Sequence, residues 1–221
     1  MTDLAKYIDH TLLKANATKD QVIKICDEAI KYGFASVCVN SYFTATVAEA
    51  LKGSDVKVCT VVGFPLGATT ADVKIFETKQ AVDNGAQEID MVINIGALKT
   101  GDLGLVENEI AAVVKAAAGA TVKVIIETCF LSEEQKKQAC MAASEAGADF
   151  VKTSTGFGTS GATVEDVKLL KSIVGDRMKV KASGGIRDID TALRLIEAGA
   201  DRIGTSSGVD ICEGKQEIIV D

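Results

Sequence analysis

Hydrophobic and polar positions fall into one repeating unit along this chain. An amphipathic stretch closes on a glycine, and an apolar, β-branched run follows within a few residues. The closing glycines are Gly33, Gly53, Gly85, Gly119, Gly147, Gly175 and Gly199. Glycine adopts the left-handed conformation past a helix end without a Cβ clash, so each marks a helix stop. The runs are ASVCVN (35–40), VKVCTVVGF (56–64), QEIDMVIN (87–94), TVKVIIET (121–128), DFVKTST (149–155), MKVKASG (178–184) and DRIGTSS (201–207). Near-continuous apolar runs predict parallel strands covered by helices. A shorter run, YIDHTLL (7–13), brings the count to eight.

Helix starts are marked too. Thr18 with Gln21 and Ser132 with Gln135 have capping-box spacing, and Thr163 with Asp166 is a looser version. The echoes NGAQEIDMV, AGADFVKTS and AGADRIGTS suggest one β/α unit used repeatedly. Such alternation in 221 residues leaves a doubly wound open sheet or a closed barrel. The number and uniformity of the units favour a single-domain (β/α)₈ barrel over residues 1–221, and no G-x-G-x-x-G follows the first strand. With one proline, Pro65, and no Ser- or charge-rich run, no linker is expected.

Composition narrows the partners. Hydrophobic residues at 47% and charged residues at 25% suit a globular domain able to bury a full core. A net charge of -7 disfavours nucleic acid, which needs clustered Lys and Arg, but leaves room for a small phosphorylated ligand in a local pocket of donors. The start, MTDLAKYIDHTLLK, has no basic segment followed by an apolar run, so no signal peptide is expected. No apolar stretch approaches the roughly 18 residues of a membrane span. Cysteines 26, 38, 59, 129, 140 and 212 form no C-x-x-C pair, and most lie in apolar patterns, as free buried thiols of a reducing cytoplasm do.

In a (β/α)₈ barrel the active site lies at the carboxyl ends of the strands. Three charges there stand inside apolar runs: Asp90 in EIDMVIN, Lys152 in DFVKTST and Lys181 in MKVKASG. The plain alternative for each lysine is snorkelling to water or a structural ion pair with Asp90. Two lysines at equivalent depth on consecutive strands, with an aspartate, favour chemistry instead. An amine attacks a carbonyl only when neutral, so an ordinary lysine pKa of about 10.4 must fall; burial and a second ammonium both lower it. Lys152 with Lys181 supplies that arrangement for a Schiff base, and Asp90 can relay protons through water. Lys123, at the amino end of its run, is expected at the surface. A zinc route takes several histidines where this chain has only His10, and no motif supports a carboxylate-held Mg²⁺. The reading therefore calls for no metal and no cofactor.

Two glycine-rich exits complete the pattern. SGGIRD (183–188) leads to a helix starting near Asp188, and GTSSG (204–208) leads into the last helix. Backbone N–H groups at such turns cradle phosphate, with Ser206 and Ser207 adding hydroxyls; the alternative is that these glycines only serve tight turns.

Together, YIDHTLL, VCVN, TVVGFPLG, EIDMVINIGALK, FVKTSTGF, VKASGGIRD and RIGTSSG resemble the deoxyribose-phosphate aldolase family, in order from near residue 7 to near residue 210. The resemblance implies a class I aldolase that interconverts 2-deoxy-D-ribose 5-phosphate with D-glyceraldehyde 3-phosphate and acetaldehyde. It implies that Lys152 forms the Schiff base, that Lys181 and Asp90 move protons, and that Gly156, Gly184, Gly185, Gly204, Ser206 and Ser207 hold the phosphate. Cys38 matches a position near the small-aldehyde site, with packing as its default role. Two departures stand out. Phe157 takes the place of a lysine that some members carry, which leaves phosphate to backbone N–H groups and hydroxyls, and the chain ends at Asp221 without the C-terminal tyrosine of some members. The expected partners are a phosphorylated sugar and acetaldehyde, with neither nucleic acid nor membrane, in the cytoplasm; a homo-oligomer is compatible. The competing readings are a Schiff-base aldolase of the keto-deoxy sugar acid or transaldolase kind, using Arg187, and a non-catalytic phosphosugar-binding barrel.

Overall fold

The computed structural model describes residues 4–214, so the comparison made at Asp221 lies outside the described residues. The strands are β1 Ile8–Leu12, β2 Ser36–Val39, β3 Lys57–Val62, β4 Glu88–Val92, β5 Thr121–Ile125, β6 Phe150–Lys152, β7 Lys179–Ser183 and β8 Arg202–Thr205. All pair in parallel and in chain order, and β8 returns to β1, which makes a closed eight-stranded barrel. The helices are α1 Lys19–Tyr32, α2 Thr44–Ala50, α3 Ala71–Asp83, α4 Ile95–Lys99, α5 Leu103–Ala116, α6 Glu133–Glu145, α7 Val164–Val174, α8 Ile189–Glu197 and α9 Gly208–Cys212. No helix among the described residues is long and apolar enough to cross a membrane.

Local chemistry sets these boundaries. The Thr18 hydroxyl accepts from the Gln21 N–H while the Gln21 side chain accepts from the Thr18 N–H, and Ser132 with Gln135 repeats this reciprocal cap on α6. Thr163 caps α7 by accepting from the Asp166 N–H at 3.0 Å. At the other end of α1, Gly33 sits at φ 70° and takes the left-handed turn that ends the helix. The strands stop short of their apolar runs: Thr153, Ser154 and Thr155 follow Lys152 outside β6.

The strands bury two different surfaces. Ile89, Met91, Val122, Val124, Val151, Val180 and Ile203 belong to the main apolar core, packed with helix residues such as Val22, Ile110, Leu170 and Leu195. The alternate positions face the barrel axis. Some of them, Cys38, Cys59 and Val61, form a small separate apolar cluster with Leu13 and Phe64. The others carry charge, among them Asp9, Glu88, Asp90, Lys123, Lys152 and Lys181, all buried. Lys123 was expected at the surface and is instead fully buried. The barrel closes around it, and its Cα is the register partner of Asp90 on β4.

Candidate active site

Strand register brings the three expected residues together. Lys152 and Lys181 are Cα partners on β6 and β7, and Asp90 reaches across the axis from β4. Asp90 Oδ2 accepts from Lys152 Nζ and from Lys181 Nζ, each at 2.7 Å. Asp90 Oδ1 accepts from Lys123 Nζ at 2.8 Å and from the Cys59 thiol at 3.2 Å. One carboxylate thus holds three lysine amino groups.

The cluster extends beyond those residues. Asp9 lies 2.5 Å from Lys181 Nζ and 2.5 Å from Arg202. Glu88 lies 2.6 Å from Lys123 Nζ and 3.1 Å from Arg202. Four cations (Lys123, Lys152, Lys181, Arg202) therefore share one network with three carboxylates (Asp9, Glu88, Asp90). The expectation that Lys152 faces Lys181 in an apolar barrel needs correction here. The second ammonium is present, but Asp90 sits between the two, and the surroundings are ionic.

Burial and charge compete throughout this network. Burial would raise Asp90, yet Lys123, Lys152 and Lys181 outweigh it and hold the carboxyl well below the usual range. Asp9 is held low in the same way, by Lys181, Lys123 and Arg202 against its burial. Burial would lower Lys181 and Lys123, but the carboxylates hold both above the usual lysine value. Lys181 is thus kept as an ammonium. Among the cysteines, burial and its bond with Cys38 push the Cys59 thiol well up. The same bond pulls Cys38 down against its burial.

A cavity of about 370 Å³ opens at the carboxyl end of the barrel and reaches Lys152. Of the expected phosphate residues, Gly156, Gly184, Gly185, Gly204 and Ser206 line it. Ser207 does not line it: its N–H donates to Thr205 Oγ1 at 2.9 Å, which ties the residue into the turn before α9. Cys38 is fully buried in the small apolar cluster, away from the lining. Gly204 has a further role. A Cβ there would stand 3.0 Å from Lys181 Cε and 2.9 Å from Ser183 Cβ, so the glycine makes room for the lysine stem. A second cavity of about 400 Å³ opens at the amino end, beside Lys57, Glu88 and Thr121. No lysine of the charged cluster lines that cavity.

Cys38, Cys59 and Asp90 place ligand atoms within 4.8 Å of one another, a grouping that could hold a metal ion. Both Asp90 oxygens, however, already accept from ammonium groups, which a cation would have to displace. His10 points elsewhere, pairing with Glu28 at 2.8 Å on the helix side of β1.

Residues 4–214 match the model of the DeoC/LacD family aldolases. The chain belongs to that family. A relative from Geobacillus sp. (strain WCH70), named deoxyribose-phosphate aldolase, is 64% identical over 214 residues, covering 96% of each chain. Another of that name, from Thermococcus gammatolerans, is 63% identical over 216 residues, again covering 96% of each. Among solved structures, an aldolase designated QR15 superposes with a TM-score of 0.93 at 46% identity and 96% coverage of both chains. A deoxyribose phosphate aldolase from Aeropyrum pernix, described as tetrameric, has a TM-score of 0.89 at 38% identity, covering 95% of this chain and 89% of its own.

The residues missed by sequence reasoning in this aldolase are Asp9, Glu88, Lys123, Arg202 and Glu127. The first four complete the charged cluster, and a charge set into an apolar run was their signal: I-D-H in β1, E-I-D in β4, V-K-V in β5 and R-I-G in β8. Glu127 is buried just past β5 at φ 54°, where its carboxylate accepts from the Thr155 N–H and hydroxyl. It thereby holds the loop that carries Gly156, and nothing in a local pattern marks it.

Proposed function

We propose that this aldolase cleaves 2-deoxy-D-ribose 5-phosphate to D-glyceraldehyde 3-phosphate and acetaldehyde, and joins them in reverse, through an iminium on Lys152. The observation that carries the reading is that Lys152 belongs to the charged network and, alone among its lysines, lines the cavity. The names of the relatives support the substrate.

The steps follow from the atoms in place. Neutral Lys152 adds to the C1 aldehyde of the open-chain sugar, and loss of water gives the iminium. Removal of the C3 hydroxyl proton lets the C2–C3 bond break, its electron pair flowing into the iminium to form an enamine. C3 leaves as the aldehyde of glyceraldehyde 3-phosphate. Protonation of the enamine at C2 and hydrolysis release acetaldehyde and the amine. Asp90, 2.7 Å from both lysines, is the proton acceptor of this relay, and Lys181 is its donor. The whole chain acts as one catalytic domain, in the cytoplasm, and needs no metal. The phosphate end occupies the loops at Gly156, Gly184, Gly185, Gly204 and Ser206.

The test is to incubate the protein with deoxyribose 5-phosphate and quantify both aldehydes. Equimolar acetaldehyde and glyceraldehyde 3-phosphate, unaffected by a chelator, is the expected result. Absence of products, or activity lost to the chelator and restored by a divalent cation, would overturn the reading.

A further inference from the structure

We propose that Lys14 is the cation that meets the substrate's phosphate and sets the preference for phosphorylated sugars; this rests on the reading that the substrate carries one. Three cations line the cavity at the carboxyl end, Lys14, Lys152 and Arg187, and no carboxylate lines it. Lys152 is held by Asp90 deep in the barrel. Lys14 is exposed at the rim, and no carboxylate of the described residues pairs with it.

Barrel closure puts Lys14 beside the right loops. β1 pairs with β8, with Asp9 opposite Gly204 and His10 opposite Thr205, so the chain leaving β1 rises next to the chain leaving β8. Leu13 packs into the small apolar cluster, and its carbonyl accepts from Asn40 Nδ2 at 3.2 Å. The Lys14 carbonyl accepts from the Ala17 N–H at 3.0 Å. These contacts fix the backbone under Lys14 at the edge of the cavity that Gly184, Gly185 and Ser206 also line.

The loops themselves offer fewer donors than the sequence suggested. The Phe157 N–H donates to Thr155 Oγ1 at 3.0 Å, and the Ser207 N–H donates to Thr205 Oγ1 at 2.9 Å. Neither is directed to a ligand. Phe157 turns its ring edge-on to Phe64 at 5.4 Å and brings no charge to the loop. Arg187 stands in the β7 exit loop itself; a phosphate of nearly two negative charges takes a further cation, and the β1 exit supplies it.

The experiment titrates inorganic phosphate into the wild type, Lys14→Met, Lys14→Arg and, as a control at the opposite barrel end, Lys57→Met. Lys14→Met should weaken phosphate about tenfold or more, the scale of one charge-assisted contact. Lys14→Arg should restore most of it, and Lys57→Met should match the wild type. In turnover, Lys14→Met should raise KM for deoxyribose 5-phosphate by a similar factor, keep kcat within about twofold, and leave unphosphorylated deoxyribose unaffected. Unchanged phosphate affinity in Lys14→Met, no phosphate binding by the wild type, or equal losses on both sugars would overturn the assignment. Phosphate binding that depends on Lys14 in a protein that releases no acetaldehyde would instead overturn the substrate reading and leave Lys14 as the phosphate partner.

Discussion

Neighbouring residues of one strand live in different chemical worlds. Met91 of β4 faces out into an apolar core shared with the helices, whereas Asp90 faces in and holds three lysine amino groups. The outer layer stabilises the fold by removing hydrocarbon from water, which is tolerant of the details of shape. The inner layer concentrates seven charged groups away from water. That arrangement is a weak source of stability, because desolvation offsets the attraction, but removal of one partner strands the others. Selection of so many charges at one place is better explained by chemistry than by folding.

The sharpest way to break this comparison is to cut each layer at adjacent positions. Asp90→Asn should lower kcat by about a hundredfold or more, since a group that moves protons is worth at least that. It should also destabilise the protein by about 3–5 kcal/mol, the usual result of breaking a buried ion pair. Met91→Ala should cost a similar 2–5 kcal/mol in denaturant unfolding through a cavity, yet leave kcat per folded molecule unchanged. If Met91→Ala reduced kcat as Asp90→Asn does, the two layers would not be functionally separate.

Those two positions also show what was legible beforehand. The glycine stops and apolar runs announced eight strands, and Lys152, Lys181 and Asp90 stood out because charge is rare within such runs. Lys123, Glu88 and Arg202 did not, because a charge near the amino end of a strand usually meets water. Here it meets a closed interior. Asp9 and Arg202 are 193 residues apart in sequence and touch only because β8 pairs back to β1. Glu127 acts through a loop 28 residues away, past the next β/α unit, which no local pattern encodes.

A pH titration of stability gives a second, smaller contrast. Asp9 and Asp90 are held below the ordinary carboxylate value, so their contribution is complete above an unfolded pKa of about 3.9 and is lost as pH falls through the folded values. Lys123 and Lys181 are held above the ordinary lysine value, so theirs is complete below about 10.4 and is lost as pH rises through the folded values. These four groups should make the urea midpoint fall as pH drops below about 4 and as it rises above about 10. Asp90→Asn should blunt the acid-side fall, and Met91→Ala should shift the whole curve down without changing its shape. A wild-type midpoint that did not fall below about pH 4 would contradict the charges assigned to Asp9 and Asp90.

The smallest expected effect separates two adjacent serines. Ser206 lines the cavity and Ser207 is bound into the turn before α9. Ser206→Ala should raise KM for deoxyribose 5-phosphate by about fivefold, the worth of one hydroxyl contact near 1 kcal/mol. Ser207→Ala should leave KM within about twofold. Equal effects would place both hydroxyls on the phosphate.

The central claim, that the charged interior exists to present Lys152 as the nucleophile, is tested most directly by trapping. Borohydride added during turnover reduces an iminium to a stable secondary amine, and peptide mapping then locates the added mass. The account predicts a single substrate-derived adduct on Lys152, abolished in Lys152→Gln. An adduct on Lys181, or none while the sugar is being cleaved, would contradict it.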